Sequence, residues 1–144
     1  MHKPTLADFM TACPHTIGAE ETLAVAHVLM RTHQVHHLPV LRQGALVGML
    51  SERDLLLIES FGAVDPGSTL VEEAMSERPV AQSPRTSLEW VAAEMAQLKI
   101  GSVIVVERER IVGVFTCVDA LRALQHLLGR ARRRGRHAPA HGAP

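Results

Sequence analysis

Two stretches of this chain have the residue types and spacing to hold a small polar ligand. One is Gly48-Met49-Leu50-Ser51-Glu52-Arg53-Asp54, the other Gly113-Val114-Phe115-Thr116-Cys117-Val118-Asp119. Both read Gly, two apolar residues, Ser or Thr, two variable residues, Asp. Both fall where a predicted strand hands over to a predicted helix. The spacing admits two readings. A hydroxyl followed three residues later by an acid is a capping box, which only starts a helix. Glu is the commoner acid at that place, yet both copies use Asp. A carboxylate there can also accept both hydroxyls of a ribose diol. The Ser/Thr hydroxyl can bond sugar or phosphate, and the open N–H groups of the helix start favour an anion. The glycine ahead of them lets another group approach the backbone closely.

The two stretches belong to a longer repeat. Shifted by 65 residues, the chain matches itself without a gap: Met10 on Met75, Pro14 on Pro79, Leu23 on Leu88, Met30 on Met95, Val40 on Val105, Val47-Gly48 on Val112-Gly113, Asp54 on Asp119. Each copy predicts a helix capped by Thr22 or Ser87. Its apolar face is Leu23, Ala26 and Met30, or Leu88, Val91 and Met95, at helical spacing. A hairpin follows: His37–Leu41 with Leu46–Leu50, and Ser102–Val106 with Ile111–Phe115. A second helix begins after Ser51 and after Thr116. The boundaries read from this pattern are repeat 1 at 6–60, a linker at 61–70 marked by Gly62, Pro66 and Gly67, and repeat 2 at 71–128. Residues 129–144 form a basic tail with five arginines and no apolar face, expected to be disordered or a frayed helix extension. One unit cannot bury both faces of its small sheet. Two related by a pseudo-twofold axis can, sheet on sheet with helices outside. The expected fold class is therefore α+β.

Composition narrows the function. The 144 residues carry 15 basic and 15 acidic side chains, so the chain as a whole is not a basic nucleic-acid binder. No apolar run approaches the roughly 20 residues of a membrane span. The first dozen residues lack an apolar signal core, and two cysteines are too few for a disulfide framework; both point to a cytoplasmic location. Three Phe, one Trp and no Tyr leave little for stacking nucleic-acid bases.

These features together resemble the cystathionine-β-synthase-type (CBS) domain, which occurs in pairs called Bateman modules. The resemblance rests on Met10–Pro14 and Met75–Pro79, on His36-His37-Leu38-Pro39-Val40, and on the two Gly…Ser/Thr…Asp stretches. It covers roughly Leu6 to Leu128. It implies paired β-α-β-β-α units with two clefts that take AMP, ADP, ATP or S-adenosylmethionine, a homodimer, and a regulatory role toward another protein. No obligatory cofactor is implied. Carried over by position, one cleft uses Ser51 and Asp54 for ribose, with Met49 and His37 beside them, completed by Val80, Ile100 and Gly101. The other uses Thr116 and Asp119, with Val114 and Ser102, completed by His15, Val35 and His36. His37 and Ser102 stand where phosphate-binding relatives carry a basic residue, so the clefts are expected to be unequal.

Other residues carry weaker signals. His15, His27, His33, His36 and His37 invite a metal reading, but no Cys or carboxylate completes a ligand set at a suitable spacing. Arg53 is either a phosphate contact or a solvated side chain. Cys117 is a bland thiol or one activated by its helix start. Trp90 reads as an outer-core or dimer contact. There is no P-loop, dinucleotide fingerprint or nucleophile–base spacing, so no enzymatic activity is expected. The rival function is a ligand-free homodimer whose arginine tail contacts nucleic acid or an acidic partner. Five arginines suffice for salt-sensitive, sequence-independent binding.

Overall fold

A computed structural model describes residues 2–12 and 15–136. The elements in chain order are α1 (Leu6–Phe9), β1 (Thr11–Ala12), β2 (Ile17–Gly18), α2 (Leu23–His33), β3 (His37–Arg42), β4 (Ala45–Ser51), α3 (Glu52–Glu59), α4 (Val71–Ala74), β5 (Ser76–Glu77), β6 (Ala81–Gln82), α5 (Leu88–Leu98), β7 (Ser102–Glu107), β8 (Arg110–Thr116) and α6 (Cys117–Arg136).

The capping and periodicity arguments hold in detail. The Thr22 hydroxyl accepts from the Val25 amide, and the Ser87 hydroxyl from the Trp90 amide. The buried residues of α2 are Leu23, Ala26 and Met30; those of α5 are Leu88, Val91 and Met95. Both helices stop at a left-handed residue that is not glycine, Gln34 or Lys99. The next amide, of Val35 or Ile100, donates back to the Met30 or Met95 carbonyl at 3.0 and 3.1 Å. This is the Schellman closure, and its apolar partner packs inward. Both hairpins turn on two residues of positive φ, Gln43-Gly44 and Arg108-Glu109, as the right-handed twist of the strands requires.

Two four-stranded sheets form, in the orders β2-β3-β4-β5 and β1-β8-β7-β6. They pack through Met49, Ile104 and Val114, with Leu46, Val106 and Ile111 at the edges. The expected sheet-on-sheet α+β pair is therefore present. The sheet orders also show that the sequence repeat is not the structural half. β1, from repeat 1, pairs with β8 of repeat 2; β5, from repeat 2, pairs with β4 of repeat 1. The short helices cross with them. Leu6 of α1 is fully buried in the core built from α5, β7 and β8, and Val71 of α4 in the core built from α2, β3 and β4. Two backbone bonds anchor each crossing: Leu6 N–H to Thr86 and Leu88 N–H to Pro4, and Val71 N–H to Glu21 and Leu23 N–H to Thr69, all 2.8–3.0 Å.

The glycine of each motif serves this crossing. A Cβ on Gly48 would lie 2.9 Å from the Ser76 carbonyl oxygen, and one on Gly113 2.8 Å from that of Thr11. Met75 and Met10 crowd the same positions. The close approach expected from the sequence is thus made by the crossing strand rather than by a ligand.

Of the two alternatives for the tail, residues 129–136 form the helix extension: α6 runs without a break to Arg136. Arginine and alanine, six of these eight residues, are good helix formers, and a helix already begun extends at little further cost. Residues 137–144, with His137 and His141, lie outside the described residues, as do Cys13 and Pro14.

Gly48→Ala should therefore destabilise the fold by about 1–3 kcal/mol, the cost of overpacking. Gly129→Ala, with open space around its Cβ, should stabilise it by up to about 1 kcal/mol, because glycine is costly inside a helix. Urea unfolding of both variants checks the pair of signs; a loss at Gly129 would contradict the helical extension.

Candidate functional site

Two clefts of about 480 Å³ each lie along the seam between the sheets, a size suited to a small organic ligand. The first takes His37, Met49, Ser51 and Asp54 from one half and Gly101, Ser102, Thr116 and Cys117 from the other. Ser76, on the crossing strand β5, also lines it. The second takes Val114, Thr116, Asp119 and Arg122 from one half and Gln34, Val35, His36 and His37 from the other, with Thr11 of the crossing strand β1. His36, His37, Thr116 and Val118 face both clefts.

The motif residues are built identically and finished differently. In each copy the carboxylate closes a capping box: Asp54 accepts from the Ser51 amide at 2.8 Å, Asp119 from the Thr116 amide at 2.9 Å. In return the Ser51 hydroxyl accepts from the Asp54 amide at 3.0 Å. The capping reading of the motif is thus correct as far as it goes. The difference comes from the crossing strands. The Thr11 hydroxyl donates to Asp119 at 2.9 Å, and Arg122 stands 3.7 Å from the same oxygen. Asp119 is left 3% exposed. No corresponding bond joins Ser76, the equivalent of Thr11, to Asp54, which stays half-buried at the wall of the first cleft.

Most of the expected residues converge on these clefts, but four do not sit as assigned. Val80 packs into the core beneath α5, because its carbonyl is held by the Ile104 amide at 2.8 Å. Ile100 goes to the same core as the apolar closure of α5. His15 stacks flat on His33, ring centroids 3.6 Å apart, beside the end of α2. Ser102 lines the first cleft instead of the second. Arg53 lines the first cleft as well. The sequence reading missed Arg122, although its position three residues after Asp119 places it on the same helical face. It also missed Thr11 and Ser76, which reach the clefts only through the crossing. The histidines have other engagements: His36 bonds Glu52 at 2.6 Å and His27 bonds Glu59 at 2.5 Å. Among the described residues no group of three or more metal-ligating side chains comes together.

The sequence pattern that describes the CBS domain matches residues 6–60 and again 71–126. The chain belongs to the CBS-domain family. A CBS domain-containing protein of Bacillus subtilis, YhcV, is 36% identical over 115 residues, spanning 80% of this chain and 81% of its own. The crystal structure of the CBS domain pair of protein MJ0100, in complex with 5′-methylthioadenosine and S-adenosyl-L-methionine, superposes with a TM-score of 0.75. It is 23% identical, over 88% of this chain and 99% of that one. The AcuB acetoin utilization protein of Vibrio cholerae, 28% identical, superposes with a TM-score of 0.72 over 92% and 98% of the two chains.

In this CBS pair, His37 is the half-buried one of the two histidines that face both clefts. Burial holds its pKa below the ordinary histidine value of 6.5, and the neighbouring His36 adds to this. Asp54 and Asp119 pull the other way without prevailing. His37 is thus harder to protonate than an ordinary histidine, which makes it a poor cation for a phosphate. Because the folded pKa is the lower one, the unfolded chain takes up a proton first as pH falls. The stability contributed by neutral His37 is complete above pH 6.5 and declines below it.

The drop in unfolding free energy between pH 7.5 and pH 5.5 should accordingly be smaller in His37→Gln than in the wild type, by urea titration at the two pH values. An equal drop would show that His37 is not desolvated. Thr11→Val should cost about 1–3 kcal/mol, since it takes a hydrogen bond from a buried carboxylate; Ser76→Ala should be close to neutral.

Proposed function

We propose that this CBS pair is a regulatory module that binds an adenosine-type ligand (AMP, ADP, ATP or S-adenosylmethionine) in its inter-half clefts and modulates a partner protein. The observation that carries the reading is Asp54: a carboxylate fixed at the head of α3 and half-open to a cleft with apolar walls. A diol-bearing sugar needs two acceptors at one fixed point, and a rigid carboxylate provides them at low entropic cost. The adenine would lie against Met49 and Val118, the large apolar side chains of this cleft. That MJ0100 is described with two adenosine derivatives supports the same ligand class.

The geometry ranks the clefts. The first offers Asp54 with Arg53 beside it. The second offers Arg122, but its carboxylate is held by Thr11, so a ribose must displace that hydroxyl. With His37 a poor cation, anionic groups fall to the arginines, because the Glu52 and Cys117 amides that open α3 and α6 already donate to the His36 and Gly101 carbonyls. Binding, rather than catalysis, is the economical role for the two hydroxyls, because Ser51 and Thr116 cap helices.

Titration calorimetry with AMP, ADP, ATP and S-adenosylmethionine should show micromolar-range binding to at least one. Asp54→Ala should weaken it by about tenfold or more, the worth of a lost charged hydrogen bond. Asp119→Ala should weaken it less. Four ligands without heat and without a shift in melting temperature would end this reading.

A further inference from the structure

We infer that the arginine-bearing end of α6 docks in the major groove of duplex DNA, alongside the ligand role of the clefts and apart from it. The starting point is a separation of charge that the crossing sharpens. The half containing residues 15–77 holds nine acidic and three basic side chains, a net of −6. The half containing residues 2–12 and 78–136 holds twelve basic and six acidic ones, a net of +6. Five of those positive charges, Arg130, Arg132, Arg133, Arg134 and Arg136, stand at the end of α6. No acidic residue follows Asp119 in the sequence. A chain of zero net charge thus gathers its positive charge at one end of one helix. That end stands clear of the cores. Leu127 is the last residue of α6 packed against one, the five arginines are all exposed, and a Cβ on Gly129 or Gly135 would meet nothing within 4 Å. The clefts lie at the opposite end of the helix, where Cys117, Val118 and Asp119 line them, about 20 Å of helix before Arg130.

The helical period decides what kind of polyanion fits. At about 100° per residue, Ala131 and Gly135 share one narrow face. Arg132 and Arg136 flank that face on one side, Arg130 and Arg134 on the other, each about 80–120° away, while Arg133 lies about 180° from it. Two flanks of cations around a face of small residues fit a groove with two anionic walls. The DNA major groove is about 12 Å wide and admits an α-helix, and phosphates run along both of its rims. With Ala131 and Gly135 toward the floor, each arginine pair reaches one rim and Arg133 faces away. The floor-facing side chains have no hydrogen-bonding group, so the contact is with phosphates and reads no sequence. A flat acidic protein face would instead meet the helix on its most cationic side, which centres on Arg133. An anionic membrane needs apolar side chains to enter it, and between Leu128 and Arg136 the helix offers one alanine and two glycines.

Fluorescence anisotropy of a labelled, mixed-sequence DNA duplex with the full chain tests this. The dissociation constant should lie below about 100 μM at about 50 mM salt. The logarithm of the association constant should fall against that of salt with a slope of about −3 to −4, from four arginines at about 0.9 each. Arg130→Ala, Arg132→Ala and Arg136→Ala should each weaken binding about threefold or more and flatten the slope by about one. Arg133→Ala should do less than any of them. Arg85→Ala, exposed on the same half and paired with Glu107, should change neither quantity. An RNA duplex of the same sequence should bind at least about fivefold more weakly, because its major groove is too narrow for a helix. A loss at Arg133 larger than that at Arg132 would assign the arginines to a flat partner and overturn the groove. Equal affinity for the RNA duplex would overturn it too, as would an Arg85→Ala loss matching those of α6. No duplex binding by a chain with native circular dichroism would end the proposal, and retention on phosphatidylserine vesicles in its place would assign the arginines to a membrane.

Discussion

The reciprocal exchange of leading segments is the constraint on which this molecule depends. Each repeat sends a short helix and a two-residue strand across to the other, where they complete a sheet and a core. Neither sheet has four strands without its visitor, and neither core is closed without Leu6 or Val71. Folding of the two halves is therefore coupled by covalent geometry as well as by the Met49–Ile104–Val114 contact. Gly48 and Gly113 make the exchange possible, because a side chain at either place would collide with the crossing backbone.

The same exchange decides what the clefts are. Each draws walls from both halves and one hydroxyl from a crossing strand, Ser76 or Thr11. A ligand there touches both sheets at once, and anything that binds only the closed arrangement stabilises it by mass action. The inequality of the clefts has the same origin. Thr11 reaches the carboxylate of its cleft and Ser76 does not, so one site is internally satisfied and the other stands open.

Much of this was legible in the sequence because it is local. The caps at Thr22 and Ser87, the buried faces of α2 and α5, the paired hairpins and the Ser/Thr-to-Asp boxes all follow from residues within one or two turns of each other. The pairing of two units followed from the 65-residue offset, since one small sheet cannot bury both faces. The errors were also local in kind. Ile100 and Val80 carry apolar side chains that suit a cleft wall or a core equally well, and only the Schellman closure and a strand bond sent them inward. His15 depended on where α2 ended. The arginine run, lacking apolar periodicity, left disorder and a helix extension both open, and α6 carries through it to Arg136.

By itself, then, the sequence determined the repeat, the elements within each copy and the two carboxylates that head α3 and α6. Those are set by propensity, capping and hydrophobic period, which act over a few residues. The tertiary structure alone decided which copy each strand joins, which carboxylate is locked and how charge is divided between the halves. The physical reason is that strand partnership is fixed by long-range packing. Two nearly identical edges, at β4 and β8, can each receive either leading strand as far as pattern is concerned. Which one does so depends on which core Leu6 and Val71 can reach and fill.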